Sequence, residues 1–209
     1  MSFNPVQGGR YGFEKITTSD QRQVLGAEMA FPDGRKFRYV NNGGTAVGEG
    51  LVVASEAALG HHDEDLVITT SPAVGDTTIS VTLEGTAAAI TIDEPDGFQT
   101  AITAGTDTAG LIKSPYKDIV VAPAAVAGRF VGVTSADLEA DYYGWVQVAG
   151  MATAKIDGTP AVGTLVGCSS NHAGQLLAVA ADTTPALGRL HGKAGVDNEF
   201  HTVMLMNLY

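Results

Sequence analysis

The stretch AEMAFPDGRKFRYV, residues 27–40, indicates a β-hairpin and sets the fold class for the chain. In its second half, apolar and basic residues alternate, which places Phe37 and Tyr39 on the same face of a strand. The Pro-Asp-Gly in its centre supplies a preset φ at the proline and a positive φ at Gly34, as a hairpin loop requires. The stretch therefore predicts two antiparallel strands joined by a short loop.

Further short strands, separated by turn residues, are predicted along the rest of the chain. The clearest is TTISVTL at 77–83, in which apolar residues alternate with Thr and Ser. YYGWVQVAG at 142–150 is a second, rich in aromatic side chains. The remaining predicted strands lie at 51–54, 66–70, 88–92, 119–121, 151–156, 164–167, 175–179 and 200–208.

The composition favours the same fold class. Gly, Ala, Thr and Val fill 97 of the 209 positions, and only 17% of the residues are charged. Small and β-branched side chains suit a pleated surface better than a helix. We expect an all-β protein, a short-strand sandwich or small barrels, with an extended irregular N-terminal arm.

Three regions are predicted from changes in pattern. Residues 1–50 hold the arm and first hairpin, 51–120 a central β domain, and 121–209 a C-terminal β-barrel or sandwich domain. The arm is assigned because Asn4-Pro5 and Gly8-Gly9 are breakers and no periodicity follows them before residue 26. The later boundary falls at a Pro/Ala/Gly-rich stretch near residue 120.

The charge distribution limits the classes of partner. The chain has a net charge of −11 and lacks the dense cluster of Lys and Arg that a nucleic-acid-binding protein needs. We therefore expect no nucleic-acid partner. Residues 1–40 carry +2 and residues 41–209 carry −13, which gives a weakly basic arm on an acidic body. No 18-residue apolar run and no signal-peptide pattern occur, so we expect no membrane partner and synthesis in a cytosol.

Two groups of side chains were weighed as sites of chemistry. His61-His62-Asp63-Glu64-Asp65 is a dense set of potential metal ligands, but adjacent strand residues face opposite sides and a solvated loop is the better interpretation. Cys168 and His172 stand four apart without a third orienting group, so a buried thiol is favoured over a nucleophile. We therefore expect a non-enzymatic protein without a cofactor.

Familiar elements occur in order along the chain. DYYGWVQ at 141–147 resembles a Y-G-W-V-Q element of head decoration and virion structural proteins of tailed phages. Residues 25–40 resemble the L-G-x…D-G-R-x-Y-R-Y-V opening of those proteins, and 74–81 their central V-G-x-T-x-V-x-V strand. An Asp-Gly turn and two late strands follow in both, here at 157–158, 162–166 and 186–190. The chain departs most from this pattern over 93–118.

The resemblance implies a decoration (cement) protein on the outside of a capsid, made in the host bacterial cytoplasm. Its partner would be the lattice of major capsid protein, and it would act as a homotrimer. Residues 1–45 would lie across neighbouring capsid subunits while the acidic body faces solvent. The candidate contact residues are Arg10, Tyr11, Phe13, Lys15, Arg22, Arg35, Tyr142 and Trp145.

Alternative functions remain open at this point. Another virion component, such as a head or tail fibre or a host-glycan-binding adhesin, would use Tyr142, Tyr143 and Trp145 to stack on sugars. A depolymerase or esterase is disfavoured because no nucleophile–base motif occurs, and the irregular arm fits a carbohydrate-binding module poorly. Core packing is itself the favoured interpretation for the aromatic strand, with one of its faces left as a candidate interface.

Overall fold

The computed structural model describes residues 11–55, 66–83, 86–91, 96–106, 114–124, 130–179 and 185–206. This part of the chain is all-β, as predicted: it contains strands and one 3-10 turn, Phe13–Lys15, and no α-helix. In chain order the strands are β1 (Glu28–Ala30), β2 (Lys36–Asn41), β3 (Val52–Ser55), β4 (Leu66–Ile68), β5 (Thr78–Leu83), β6 (Thr86–Thr91), β7 (Ile119–Val121), β8 (Phe130–Thr134), β9 (Tyr143–Lys155), β10 (Leu165–Cys168), β11 (Leu176–Ala178), β12 (Gly188–Leu190) and β13 (Phe200–Leu205).

The chain forms two compact units. The first, Met1–Ala57 with Pro115–Tyr209, holds a curled antiparallel half-barrel sheet in the order β11-β10-β12-β13-β9-β8-β3-β7, and the β1–β2 hairpin joins this sheet through β9. The second unit, Ala58–Ser114, holds the three-stranded sheet β4-β5-β6.

The units divide the chain elsewhere than the boundaries predicted near 50 and 120. Strands from all three predicted regions, β2, β3 and β9, lie in one sheet, because β3 pairs with β7 and β8, and β2 with β9. Local composition marked the flanks of the inserted unit only approximately. Pairing between residues far apart in the chain sets the actual division.

The first hairpin has the predicted geometry. Ala30 lies opposite Lys36 in the β1–β2 register, and Gly34 in the loop has a φ of 88°. Phe37 and Tyr39 are both buried on one face, where they join Met29 and Trp145 in an aromatic cluster. The alternation in the sequence thus places two aromatic rings beneath the N-terminal segment.

Strand β9 is one continuous element of 13 residues, where the sequence predicted two. Gly150, expected to end the first strand, keeps the chain in the sheet with a φ of 83°. The buried amide of Gln147 donates to the carbonyls of Ala149 (3.0 Å) and Met151 (2.9 Å) on either side of this glycine. The half before Gly150 pairs with β2 and β8, and the half after it with β13.

Two further cores lie in the first unit. One is the interior of the curled sheet and includes Val166, Leu176, Leu190 and Val203. The other is built from residues of β2, β3, β7, β8 and β9: Val40, Val53, Ile119, Val131 and Val146. Among the described residues, no helix has the length and apolarity needed to cross a membrane.

Candidate functional site

The N-terminal segment from residue 11 is irregular, as predicted, and it lies on this chain's own sheet. Thr18 forms a two-way backbone pair with Tyr143, at 2.9 and 2.8 Å. Ser135 donates its hydroxyl to the carbonyl of Glu14 at 2.6 Å. These bonds fix the path of the segment over the end of β9.

Glu14 holds the 3-10 turn in place from within. Its buried side chain accepts the backbone N–H of Gly12 at 2.7 Å through Oε2. Gly12 has a φ of 96°, a conformation that a side chain would make costly. Glu14 is buried, whereas its apolar neighbours Phe13 and Ile16 are each about half exposed.

Arg35 ties the same turn to the hairpin. Its guanidinium lies 4.8 Å from the centre of the Phe31 ring and 5.5 Å from that of Tyr11, both cation–π distances. Two carboxylates neutralise it, Asp33 at 2.8 Å and Glu14 at 3.6 Å. The hydrogen bond from the Arg35 backbone is the main cause that lowers the pKa of the Asp33 carboxyl, and the guanidinium adds to it.

A shallow apolar groove of about 160 Å³ opens beside the turn. Tyr39 and Trp145 form its inner wall, and the Tyr39 hydroxyl is occupied by the backbone N–H of Arg22 at 3.0 Å. The remaining lining residues are Phe13, Ile16, Thr18, Arg22, Gln23 and Met29. An apolar side chain of a partner is the occupant that such a lining suits.

The exposed side of this region is apolar. Tyr11 is 72% exposed, and Phe13 and Ile16 are each 47% exposed. We call these three residues the aromatic patch. Exposed apolar side chains near a groove are a typical feature of interaction surfaces.

The structure brings six of the eight candidate contact residues to this region: Tyr11, Phe13, Lys15, Arg22, Arg35 and Trp145. Trp145 belongs to the core, since it is only 8% exposed and lies 5.1 Å from Tyr39 edge-on. Lys15 pairs with Glu49 at 3.1 Å, and Tyr142 packs against the separate core around Val40. Arg10 lies outside the described residues.

Sequence analysis missed Ile16 and Met29 as members of the site. Ile16 lies in a segment without periodicity, so no pattern indicated which way it points. Met29 stands on the inward face of β1, and its side chain is fully buried at the base of the groove. The alternation of β1, with Met29 between two partly exposed neighbours, is the signal that could have identified it.

The polar side chains between Cys168 and His172 form a hydrogen-bond network around the carboxylate of Asp157. Ser169 donates to the buried carboxylate of Asp157 at 2.5 Å, Asn171 donates to the same oxygen at 3.1 Å, and His172 Nδ1 lies 3.3 Å from the other. The serine hydroxyl also accepts two backbone N–H groups, so it closes a turn. Burial raises the pKa of the Cys168 thiol to about 11, which disfavours the nucleophilic thiolate.

The expected loop at His61–Asp65 lies outside the described residues. Within the part of the chain that the structure describes, no three His, Cys, Asp or Glu side chains come together as metal ligands. In comparisons with known proteins, no protein-family model, no curated protein and no solved structure matches this chain.

Proposed function

We propose that this protein decorates and stabilises the outer surface of a tailed-phage capsid, and that it holds the capsid through the aromatic patch. The observation that carries the proposal is the patch itself: Tyr11, Phe13 and Ile16 stand exposed on a turn that Glu14 and Arg35 fix from below. A rigid apolar surface binds without a large loss of conformational entropy, which favours contact with another protein. The virion resemblance of the sequence supplies the class of that protein, the major capsid protein.

The charges beside the patch suit this role. Lys15 and Arg22 are exposed close to it, and each is held by one neighbouring carboxylate. The low overall charge allows a broad contact without extensive desolvation of ions. Repetition of the contact over a lattice, and within a homotrimer, converts a modest single affinity into firm attachment.

The glycan-binding alternative receives less support. A residue that stacks on a sugar presents the face of its ring to solvent, whereas Trp145 is buried and presents only part of its surface to the groove. Tyr39 is likewise buried, and its hydroxyl already accepts a hydrogen bond from Arg22. We therefore assign the aromatic pair to the support of the patch.

Capsid co-sedimentation tests the proposal. Capsids of the phage that encodes this chain, prepared without it, are mixed with the purified protein and pelleted. The wild type should co-sediment, while Phe13→Glu and Ile16→Glu should each bind at least about tenfold more weakly, because a buried unpaired carboxylate costs more than 1.4 kcal/mol.

Val74→Glu is the matched control, since Val74 is also an exposed apolar residue and belongs to the second unit, outside the patch. It should bind as the wild type does. Full binding by both patch variants would overturn the patch as the contact. Failure of the wild type to bind capsids, with binding to a host glycan instead, would overturn the proposed function in favour of an adhesin.

Point substitutions are preferable to removal of residues 1–25. That deletion would remove the backbone pair between Thr18 and Tyr143 and uncover Tyr39 and Trp145. Loss of binding could then follow from a damaged sheet. The exposed side chains of the patch avoid this ambiguity.

A further inference from the structure

A second exposed apolar surface lies on β13, in the sheet of the first unit. Phe200 and Met204 are 54% and 41% exposed, whereas the alternating residues Val203 and Leu205 are buried in the sheet's interior. The alternation shows that one face of β13 fills the core and that the other is turned to solvent. This outward face has no covering layer among the described residues of the unit.

Strand register extends this surface across neighbouring strands. Met204 lies opposite Met151 of β9 and Arg189 of β12, and Phe200 lies opposite Lys155 of β9. Directly opposed residues share a face of the sheet, so these side chains form one surface. We call it the β13 face, and define it by Met151, Lys155, Arg189, Phe200, Thr202 and Met204.

The charge of the β13 face is opposite in sign to that of the chain. Its two charged residues are Lys155 and Arg189, and the outward positions of the paired strands β9 (from Met151), β10, β12 and β13 carry no acid. The whole chain has a net charge of −11. Arg189 is also held in place, since its Nη1 donates to the carbonyl of Gly163 at 2.8 Å.

We propose that the β13 face binds the acidic surface of a second copy of this chain. Charge complementarity carries the choice of occupant: an apolar surface with two cations meets its complement on the acidic body of the same protein. The densest run of exposed acids that the structure describes is Asp137, Glu139 and Asp141. Two β13 faces in contact would oppose like charges, so the contact is head-to-tail, the type that closes into rings such as trimers.

This inference rests on the trimer in the proposed function, and it adds the surface that forms it. It assigns self-association to the β13 face and capsid binding to the aromatic patch. The aromatic patch lies on the N-terminal turn and the β13 face on β9, β12 and β13, and no residue belongs to both. Each function can therefore fail without the other.

The molar mass of the purified protein, measured by light scattering after gel filtration over a range of concentrations, tests the inference. The wild type should have a mass of several chains, and Met204→Glu and the double variant Lys155→Glu/Arg189→Glu should fall to one chain. Added salt should weaken the wild-type assembly, because screening reduces attraction between exposed charges. Ile16→Glu, the patch variant, should keep the wild-type mass.

Circular dichroism should show the wild-type fold for all of these variants, since every altered side chain is at the surface. A monomeric wild type would overturn the inference, as would a wild-type mass in both β13-face variants. Loss of capsid binding by Met204→Glu without a change in mass would assign the β13 face to the capsid instead. Loss of capsid binding by Ile16→Glu alone would leave the inference intact and support the proposed function.

Discussion

Glu14 and Arg35 are joined across 3.6 Å, with side chains 9% and 20% exposed, and they connect the N-terminal turn to the first hairpin. The guanidinium simultaneously lies over the ring of Phe31. Such a screened, ring-covered ion pair resists solvent competition better than a pair at an open surface. The turn that carries the aromatic patch is therefore positioned by the hairpin that decides the fold.

Replacement of Arg35 should loosen this connection. Lysine keeps the charge but lacks the planar group that contacts two carboxylates and the rings, so Arg35→Lys should lower the free energy of unfolding by about 1–2 kcal/mol. Urea unfolding followed by tryptophan fluorescence measures the change. Arg22→Lys is the control, since the Arg22 side chain is exposed and lies 3.7 Å from a similarly exposed carboxylate, that of Asp20. Equal effects of the two substitutions would contradict the role assigned to Arg35.

Gly150 should tolerate no side chain. A Cβ there would lie 2.9 Å from the carbonyl oxygen of Gly34 and 2.9 Å from Cα of Arg35. Gly150→Ala should therefore destabilise the protein by about 3 kcal/mol or more, as both steric contact and the positive φ oppose it. Gly163 has the same φ of 83° with no atom near the added Cβ, so Gly163→Ala should cost only about 1–2 kcal/mol. Similar losses in the two variants, by thermal or urea unfolding, would contradict the steric explanation.

The sequence predicted the strands well where one face is buried and the other exposed. The hairpin at β1–β2 has this pattern, because period-2 alternation follows directly from a half-buried sheet. Strand β8 was missed, since its residues Val131, Gly132 and Val133 are all buried and show no alternation. The length of β9 was also missed, because a glycine that continues a strand is indistinguishable in sequence from one that ends it.

The sequence predicted only part of the candidate site, because local pattern does not show which distant residues pack together. Tyr11 and Phe13 are candidate contacts because the resemblance places the arm on the capsid, and both are exposed. The burial of Trp145 depends on its neighbour Tyr39, more than 100 positions away in the chain. Packing between such distant residues follows from sheet pairing, which local pattern does not specify.

The Cys168 thiol should react slowly with alkylating reagents. With a pKa raised to about 11 by burial, its thiolate fraction at pH 8 is about 100-fold below that of an unfolded cysteine. Mass spectrometry after iodoacetamide treatment, with and without denaturant, measures the ratio. Cys168→Ser/Ser170→Cys moves the thiol to an exposed position two residues away and should restore fast labelling. Fast labelling of native wild type would show that the thiol is accessible and ionised.

Asp157 should make the stability of the first unit depend on pH. Its carboxylate accepts hydrogen bonds from Ser169 and Asn171 and faces His172, and the bond from Ser169 is the main cause that lowers its pKa below the ordinary 3.8. A carboxyl with a lowered pKa in the folded state stabilises that state above about pH 4, and loses this contribution as the pH falls through the folded value.

Asp157→Asn should therefore reduce the free energy of unfolding by about 1–3 kcal/mol at pH 7, since the amide accepts fewer hydrogen bonds from the same donors. The difference from wild type should shrink as the pH falls below 3.8, where the wild-type carboxyl takes up a proton. Urea unfolding at a series of pH values from neutral to acid gives both curves. Asp20→Asn alters an exposed carboxylate, so its free energy of unfolding should follow that of the wild type at every pH. A constant gap between Asp157→Asn and wild type down to the acid limit would mean that the variant loses packing and not an ionised acceptor.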